Sequence, residues 1–134
     1  MQTELGILGL YGLVTIITIL IQVTAAMLQV GPMALFYPRD DLKLTGMAAR
    51  LDRAQINSVV AMALFAPAVL IVQMNGLGTA GTLMAAQAFL IARILYVPLY
   101  AFGIPVLRTG VWAVGFIATI WLYICGIGAA VVVQ

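Results

Sequence analysis

The chain has 134 residues, of which 65% are hydrophobic and only 7% are charged, with a net charge of +2. About a quarter of the residues of a soluble domain are charged, so this composition excludes a soluble globular protein, and the few scattered basic residues argue against a nucleic-acid binder. We therefore predict an integral, multi-pass membrane protein in which residues 1–134 form a single transmembrane domain, since no polar linker separates two units.

The first predicted helix covers residues 5–30, a stretch without a charged residue. A secretory signal peptide has a basic start and a shorter apolar core, so we interpret this segment as a retained transmembrane helix. Small and weakly polar residues recur along it at helical spacing, which favours close packing and hydrogen bonding with neighbouring helices. These residues are Gly6, Gly9, Gly12, Thr15, Thr18 and Gln22.

A loop is predicted from Gly31 and Pro32, which end the first helix, to about residue 45. Seven of the ten charged residues of the chain lie between positions 39 and 53, and four of these seven are basic. The positive-inside rule then places loop 31–46 and the later turn 102–106 on the cytoplasmic side, with both termini outside. In a bacterium the membrane would be the inner membrane of the cell.

The second helix is predicted over residues 47–74, with Arg50, Arg53 and Asn57 on one face at i, i+3 and i+7. Arginines near a helix end can reach lipid headgroups, so Arg50 has a plain structural explanation. An amide as deep as Asn57 needs partners, either on a neighbouring helix or in a polar cavity. This face is therefore a candidate site.

The third helix is predicted over residues 79–101, with Thr79 as its cap. Arg93, Tyr96 and Tyr100 lie on one face of it, again at i, i+3 and i+7. A charged side chain at bilayer depth costs about 2.5–3.5 kcal/mol on insertion scales. An arginine there without an acid nearby in sequence indicates a functional site.

The fourth helix is predicted over residues 105–132, with Arg108 in its first turn. It also carries Cys125, the only cysteine, in a chain without histidine. An internal disulfide is therefore impossible, and no tightly bound metal is expected. We interpret Cys125, in an apolar run, as a packing residue.

Four antiparallel helices joined in this order bring the arginines of the second, third and fourth helices to one end of the bundle. Like charges in a partly dry site repel one another by roughly several kcal/mol, so we expect an anion among them. A lipid headgroup and a soluble anionic substrate both fit. A proton-coupled carrier would need an acid within a span, whereas all the acids lie near helix ends or in loops. These acids are Glu4, Asp40, Asp41 and Asp52.

Three motifs, in this order along the chain, resemble the MAPEG family, the membrane-associated proteins in eicosanoid and glutathione metabolism. They are Arg53-Ala-Gln-Ile-Asn57 on the second helix, Ala92-Arg-Ile-Leu-Tyr96 with Tyr100 on the third, and Arg108-Thr109 at the start of the fourth. The resemblance implies an all-α, four-helix membrane bundle that assembles as a homotrimer. It also implies that glutathione binds between neighbouring protomers, near the cytoplasmic face.

The activity implied by the resemblance is that of a glutathione-dependent transferase or peroxidase acting on lipophilic electrophiles or hydroperoxides. Arg108 matches the catalytic arginine that family enzymes place at the sulfur. The implied partners are membrane lipids, a lipophilic small molecule and further copies of the chain, without metal or nucleic acid. The implied glutathione-binding residues are Arg53, Gln55, Asn57, Arg93, Tyr96 and Tyr100.

Two positions depart from the family pattern. Val60 stands where glutathione-using members often carry a glutamate, and the segment Leu28-Gln-Val-Gly31 lacks a basic residue that some members use. A carboxylate at position 60 would pair with the amino group of glutathione or hold an arginine in place. A non-catalytic family member that binds a lipid or a partner membrane protein is therefore the alternative.

Overall fold

The computed structural model describes residues 3–36 and 43–132, with side chains described for 3–35 and 43–128. These ranges contain five helices and no strand. Four of the helices are long and apolar enough to cross a membrane, which confirms the all-α, multi-pass membrane bundle. The helices are α1 (Glu4–Val30), α2 (Pro32–Phe36), α3 (Gly46–Met74), α4 (Ala80–Ala101) and α5 (Pro105–Val132).

The four long helices begin and end within one residue of the ranges predicted from the sequence. The stretch after α1 differs, because the short helix α2 lies where the sequence predicts only a loop. Gly31, with φ of 84°, ends α1, and Pro32 begins α2 at a position where its missing N–H costs no hydrogen bond. The charged loop residues Arg39, Asp40 and Asp41 lie outside the described residues.

The long helices form an antiparallel bundle in which α3 and α4 each contact both α1 and α5. In the described residues α1 and α5 do not contact each other, so they occupy opposite corners. An aromatic cluster joins α1, α3 and α4. The Phe65 and Phe89 rings lie parallel with centroids 3.8 Å apart, and the Tyr11 ring of α1 meets the Phe89 ring edge-on at 4.8 Å. Such packing contacts hold membrane helices together, because lipid chains are as apolar as the core.

The buried face of α1 carries Thr15, Thr18 and Gln22 beside Tyr11, as predicted for the polar half of its stripe. The threonine hydroxyls do not reach neighbouring helices, however, and this part of the prediction is wrong. Thr15 Oγ1 donates to the carbonyl of Tyr11 at 3.0 Å, and Thr18 Oγ1 donates to the carbonyl of Val14 at 2.8 Å. Each hydroxyl bonds within its own helix because the carbonyl four residues earlier is the nearest acceptor. Gly9 is exposed, and a Cβ added to it would have nothing within 4 Å, so it makes no close helix contact.

One end of the bundle, here called the glutamate end, is joined by a single carboxylate. Glu4 is buried at the start of α1 and accepts hydrogen bonds from Gln73 Nε2 on α3 and Thr82 Oγ1 on α4, both at 2.6 Å. Thr79 caps α4 as predicted, in a reciprocal capping box with Thr82. Three helices are thus tied together at this end by neutral donors around one acid.

The opposite end, here called the arginine end, has its own structural contacts. Arg50 Nε donates to the carbonyl of Ala101 at 2.8 Å, where the C-terminus of α4 favours a positive charge. The same side chain lies along Gly103, whose φ of 71° suits glycine. The side chain of Gln29 exchanges two hydrogen bonds, each 2.9 Å long, with the backbone of Thr45. Arg50 therefore serves the fold by closing the last turn of α4.

Candidate functional site

The cleft between α3, α4 and α5 is closed towards the glutamate end and open towards the arginine end. In the closed part, a Cβ on Gly126 of α5 would lie only 2.8 Å from Cγ2 of Ile71 on α3. Tyr123 Oη also donates to the carbonyl of Leu64 at 2.6 Å. From Leu64 towards the arginine end, two cavities lie between the three helices.

The two cavities are neighbours that share a wall. The mouth cavity, nearer the arginine end, has a volume of about 280 Å³, and the deep cavity about 120 Å³. Asn57 and Trp112 line both, so the cavities form two compartments of one cleft. The mouth cavity is lined by Asn57, Tyr96, Tyr100, Arg108, Thr109 and Trp112. The lining of the deep cavity includes Val60, Leu64, Phe89, Arg93, Gly115 and Phe116.

Tyr100 organises the mouth cavity by holding two guanidinium groups from two other helices. Arg53 Nε on α3 donates to Tyr100 Oη at 3.0 Å, and Arg108 Cζ on α5 lies 4.5 Å from the centre of the Tyr100 ring. The ring of Tyr96 packs edge-on against that of Tyr100, with centroids 5.6 Å apart. Arg53 uses one N–H donor on the Tyr100 hydroxyl, and Arg108 packs on the face of the Tyr100 ring. Most N–H donors of both arginines therefore remain available for a ligand.

Arg93 lies deeper in the cleft and is only 2% exposed. Its Nη2 donates to Ser58 Oγ at 3.2 Å, and its Cζ lies 4.1 Å from the centre of the Tyr96 ring. Its Nε is buried without a hydrogen-bond partner among the described residues, and so is Oδ1 of Asn57. Two residues that line the deep cavity, Arg93 and Asn57, therefore each keep one buried polar atom without a partner.

The three arginines of the cleft have only neutral partners in the described part of the chain. Those partners are hydroxyl groups and aromatic rings. Only Arg93 is buried; moving its charge out of water without a counter-charge costs roughly several kcal/mol, and cation–π contact returns about 2 kcal/mol at most. Arg53 is exposed and Arg108 is half-buried, so their remaining donors are open to a ligand. This arrangement supports the prediction of an anionic ligand at Arg53, Arg93 and Arg108.

Gln55 is the predicted glutathione-binding residue that the structure does not bring to the cleft. It follows Arg53 by two residues, which turns it to the other side of α3, and its Nε2 donates to Asp52 Oδ1 at 2.9 Å. Five of the other predicted site residues line the cleft: Asn57, Arg93, Tyr96, Tyr100 and Arg108. Arg53 reaches its edge through the hydrogen bond to Tyr100 and also lines a separate cavity beside α1.

Trp112, Gly115 and Phe116 belong to the site but were not predicted from the sequence. Trp112 follows Arg108 by four residues, and Phe116 follows Trp112 by four. Arg108, Trp112 and Phe116 therefore lie on one face of α5. The Trp112 and Phe116 rings stack with centroids 4.9 Å apart. The helical spacing from Arg108 was the signal that could have found this aromatic wall.

The model of the MAPEG family matches residues 5–128 of the chain, a range that includes every residue of the cleft. No curated protein and no solved structure matches the chain.

Proposed function

Because the chain belongs to the MAPEG family, we propose that it is a glutathione-dependent transferase or peroxidase acting on lipophilic electrophiles or hydroperoxides. The observation that carries the proposal is the pair of guanidinium groups, Arg53 and Arg108, that meet on Tyr100 with only neutral partners among the described residues. Glutathione has two carboxylates and one thiol, so a cluster of arginines on three helices matches its charge. The alternative is a non-catalytic member that binds a lipid or a partner membrane protein.

In this proposal the peptide of glutathione occupies the mouth cavity. Arg53 binds a carboxylate through two parallel hydrogen bonds, which a lysine cannot match. Asn57 and the Tyr96 and Tyr100 hydroxyls bind the peptide groups. In a homotrimer, Gln55 on the far side of α3 would meet glutathione held in the cleft of a neighbouring protomer.

Arg108 acts on the sulfur. A thiol with an ordinary pKa near 8.5 loses its proton more readily beside a fixed positive charge, and each unit of lowering corresponds to about 1.4 kcal/mol. The thiolate then attacks an electrophilic carbon, forming a C–S bond as the leaving group departs. With a hydroperoxide it attacks the terminal oxygen: an S–O bond forms, the O–O bond breaks and the alkoxide takes up a proton. A second glutathione converts the sulfenic acid to the disulfide and water.

Calorimetry of glutathione binding to the purified protein tests this proposal. We expect the wild type to bind, Arg53→Ala to lose most of the affinity, and Arg108→Ala to bind without the ultraviolet absorbance of a thiolate. Lys43→Ala is the matched control, because it removes one positive charge at an exposed position outside the cleft. Absence of binding by the wild type at millimolar glutathione would overturn the mechanism.

The alternative function, a non-catalytic family member that binds a lipid or a partner membrane protein, is favoured by Val60. This residue lines the deep cavity, where a carboxylate would be available to glutathione or to Arg93. The occupant of the arginine cluster would then be a phosphate headgroup. Binding of anionic lipid to the protein, measured in vesicles with and without that lipid, distinguishes the two functions. Only the alternative predicts lipid binding that requires Arg53 and does not change when glutathione is added.

The proposal also places the arginine end at the cytoplasmic face, where glutathione is abundant. A Lys43→Cys variant in a Cys125→Ser background tests this orientation. A membrane-impermeant maleimide should label the introduced thiol only after the cells are opened. Labelling of intact cells would reverse the orientation without affecting the cleft.

A further inference from the structure

The guanidinium group of Arg93 is held by very few polar contacts. In the described part of the chain its one hydrogen bond runs from Nη2 to Ser58 Oγ at 3.2 Å, and Nε is buried without a partner. The group also lies on the face of the Tyr96 ring, with Cζ 4.1 Å from the ring centre. A ring face attracts a cation without fixing its rotation, whereas a hydrogen bond weakens steeply when its angle bends. Ser58 therefore fixes the direction of the guanidinium.

The hydroxyl of Ser58 meets Arg93 as an acceptor. A serine hydroxyl carries one hydrogen and two lone pairs, and Ser58 Oγ donates its hydrogen to the carbonyl of Ala54 at 2.8 Å. The lone pairs therefore remain for Arg93. An acceptor in this state suits a permanently charged donor such as a guanidinium.

Ser58 is itself held from α1. Tyr11 Oη donates to the backbone carbonyl of Ser58 at 2.7 Å, across the interface between α1 and α3. Tyr11 is buried, and its ring packs edge-on against Phe89 and Phe65, with centroids 4.8 Å and 6.3 Å away. Ser58 is only 2% exposed, so its hydroxyl is shielded from competing water. A contact between α1 and α3 thus sets the position of the acceptor that Arg93 uses.

From these contacts we propose that Ser58 is a positioning residue of the cleft, which holds the Arg93 guanidinium in the orientation from which it reaches an anion. Without this acceptor the long side chain of Arg93 populates several orientations. The apparent affinity for an anion then falls in proportion to the fraction of molecules in the competent one. That the anion is glutathione rests on the proposed function, whereas the orientation of Arg93 does not.

Nitrogen-15 relaxation of the arginine side chains in detergent, without ligand, tests the positioning. The chain has five arginines, so the Nε–Hε region contains at most five signals, and the signal of Arg93 is the one lost in Arg93→Lys. For Arg93 we expect an order parameter near about 0.85 in the wild type, as in a rigid backbone, and below about 0.6 in Ser58→Ala.

Two further variants make the relaxation result specific. Ser58→Thr keeps the hydroxyl and should keep Arg93 rigid. Thr18→Val is the matched control, because Thr18 is also 2% exposed and its hydroxyl also donates to the carbonyl four residues earlier, but Thr18 lies on α1 and lines neither cavity. An Arg93 that stays rigid in Ser58→Ala, or that Thr18→Val loosens equally, would overturn the proposal.

Glutathione calorimetry and steady-state kinetics connect the positioning with the proposed function. Ser58→Ala should weaken binding about tenfold and raise KM to the same extent with kcat little changed, as when about one tenth of the molecules hold Arg93 in the competent orientation. In an Arg93→Met background the same substitution should have no further effect, because the group that it positions is gone. An equal loss in both backgrounds, or tighter binding by Ser58→Ala, would contradict the positioning role.

The positioning role and the proposed function fail separately. If the wild type binds no glutathione while Ser58→Ala loosens Arg93, the transferase is removed and the positioning stays. If glutathione binds but neither its affinity nor the relaxation of Arg93 responds to Ser58→Ala, the positioning is removed and the transferase stays.

Discussion

Both ends of the bundle contain buried polar or charged side chains, but the two ends differ in how many of these groups have a hydrogen-bond partner. At the glutamate end, the buried acid Glu4 receives hydrogen bonds from Gln73 and Thr82, and the cap of α4 is closed. At the arginine end, within the described residues, Arg93 keeps a buried, unpaired Nε, and the other two guanidinium groups of the cleft contact only neutral groups. The first arrangement is complete within the described residues of one chain, whereas the second leaves donors available for the proposed ligand.

This difference separates stability from function along one molecule. Buried polar groups in a native protein are normally hydrogen-bonded, and unpaired ones inside a membrane are costly. Unpaired polar groups at one end of the bundle therefore indicate a functional site. Changes at the cleft residues of the arginine end should therefore alter ligand binding and chemistry, whereas changes at the glutamate end, or at Arg50, which closes the last turn of α4, should alter unfolding. The following variants test that separation.

The largest effect is expected from Arg108→Ala. If its positive charge stabilises the thiolate, its removal should lower turnover of a lipophilic electrophile about 10²–10³-fold, as loss of a charge-stabilising donor does in other enzymes. Arg108→Lys should recover part of the rate because it restores the charge. Initial rates at saturating glutathione measure the effect of both variants. Equal rates for the wild type and Arg108→Ala would show that the arginine end does not carry the chemistry.

Arg53→Ala should act on affinity. Losing hydrogen bonds to a carboxylate costs about 1.5–3 kcal/mol, so the KM for glutathione should rise by one to two powers of ten with a smaller change in kcat. Steady-state kinetics across glutathione concentrations separate the two constants. A fall in kcat at unchanged KM would move Arg53 from binding to chemistry.

Glu4→Ala should destabilise the bundle without affecting the cleft. It leaves Nε2 of the half-buried Gln73 without this acceptor and leaves Thr82 Oγ1 only the carbonyl of Thr79 at 2.9 Å, at a cost of about 1–3 kcal/mol. Glu4→Gln keeps one acceptor and should cost less. Unfolding in detergent, monitored by circular dichroism, measures the loss of stability. We expect the affinity for glutathione to stay unchanged. A lower affinity would mean that the two ends of the bundle are coupled.

Arg50→Gln should have the smallest effect, about 0.3–1 kcal/mol of stability, because it removes a charge from the C-terminus of α4. It is the informative partner of Arg53→Ala, since the two arginines lie one turn apart on α3. Glutathione calorimetry should show normal affinity for Arg50→Gln. Equal losses for both variants would show that they form one electrostatic unit.

Much of the bundle could be predicted from the sequence because its signals are local. Apolar runs set the spans, and Gly31 and Pro105 mark where helices end or begin. Antiparallel connection alone then brings Arg53, Arg93 and Arg108 to one end. These features need no knowledge of which side chains touch across helices.

The contacts that escaped prediction are those that depend on helix rotation. Glu4 looks like an ordinary residue of a first helical turn, yet its partners are 69 and 78 positions away. Gln55 belongs to the family motif, but its direction on α3 turns it away from the cleft of its own chain. The division of the cleft into two cavities depends on where Asn57 and Trp112 meet between α3 and α5, which no local pattern in the sequence shows.

Gly126 lets α5 pack closely on Ile71 of α3 near the glutamate end, because a Cβ there would lie 2.8 Å from Cγ2 of Ile71 and would push the helices apart. At a rise of 1.5 Å per residue, Arg108 lies roughly 27 Å along the helix from Gly126. A tilt of about 3° at Gly126 would therefore carry Arg108 more than roughly 1 Å across the mouth cavity. The placement of Arg108 thus depends on the absence of a side chain at Gly126, near the opposite end of the bundle.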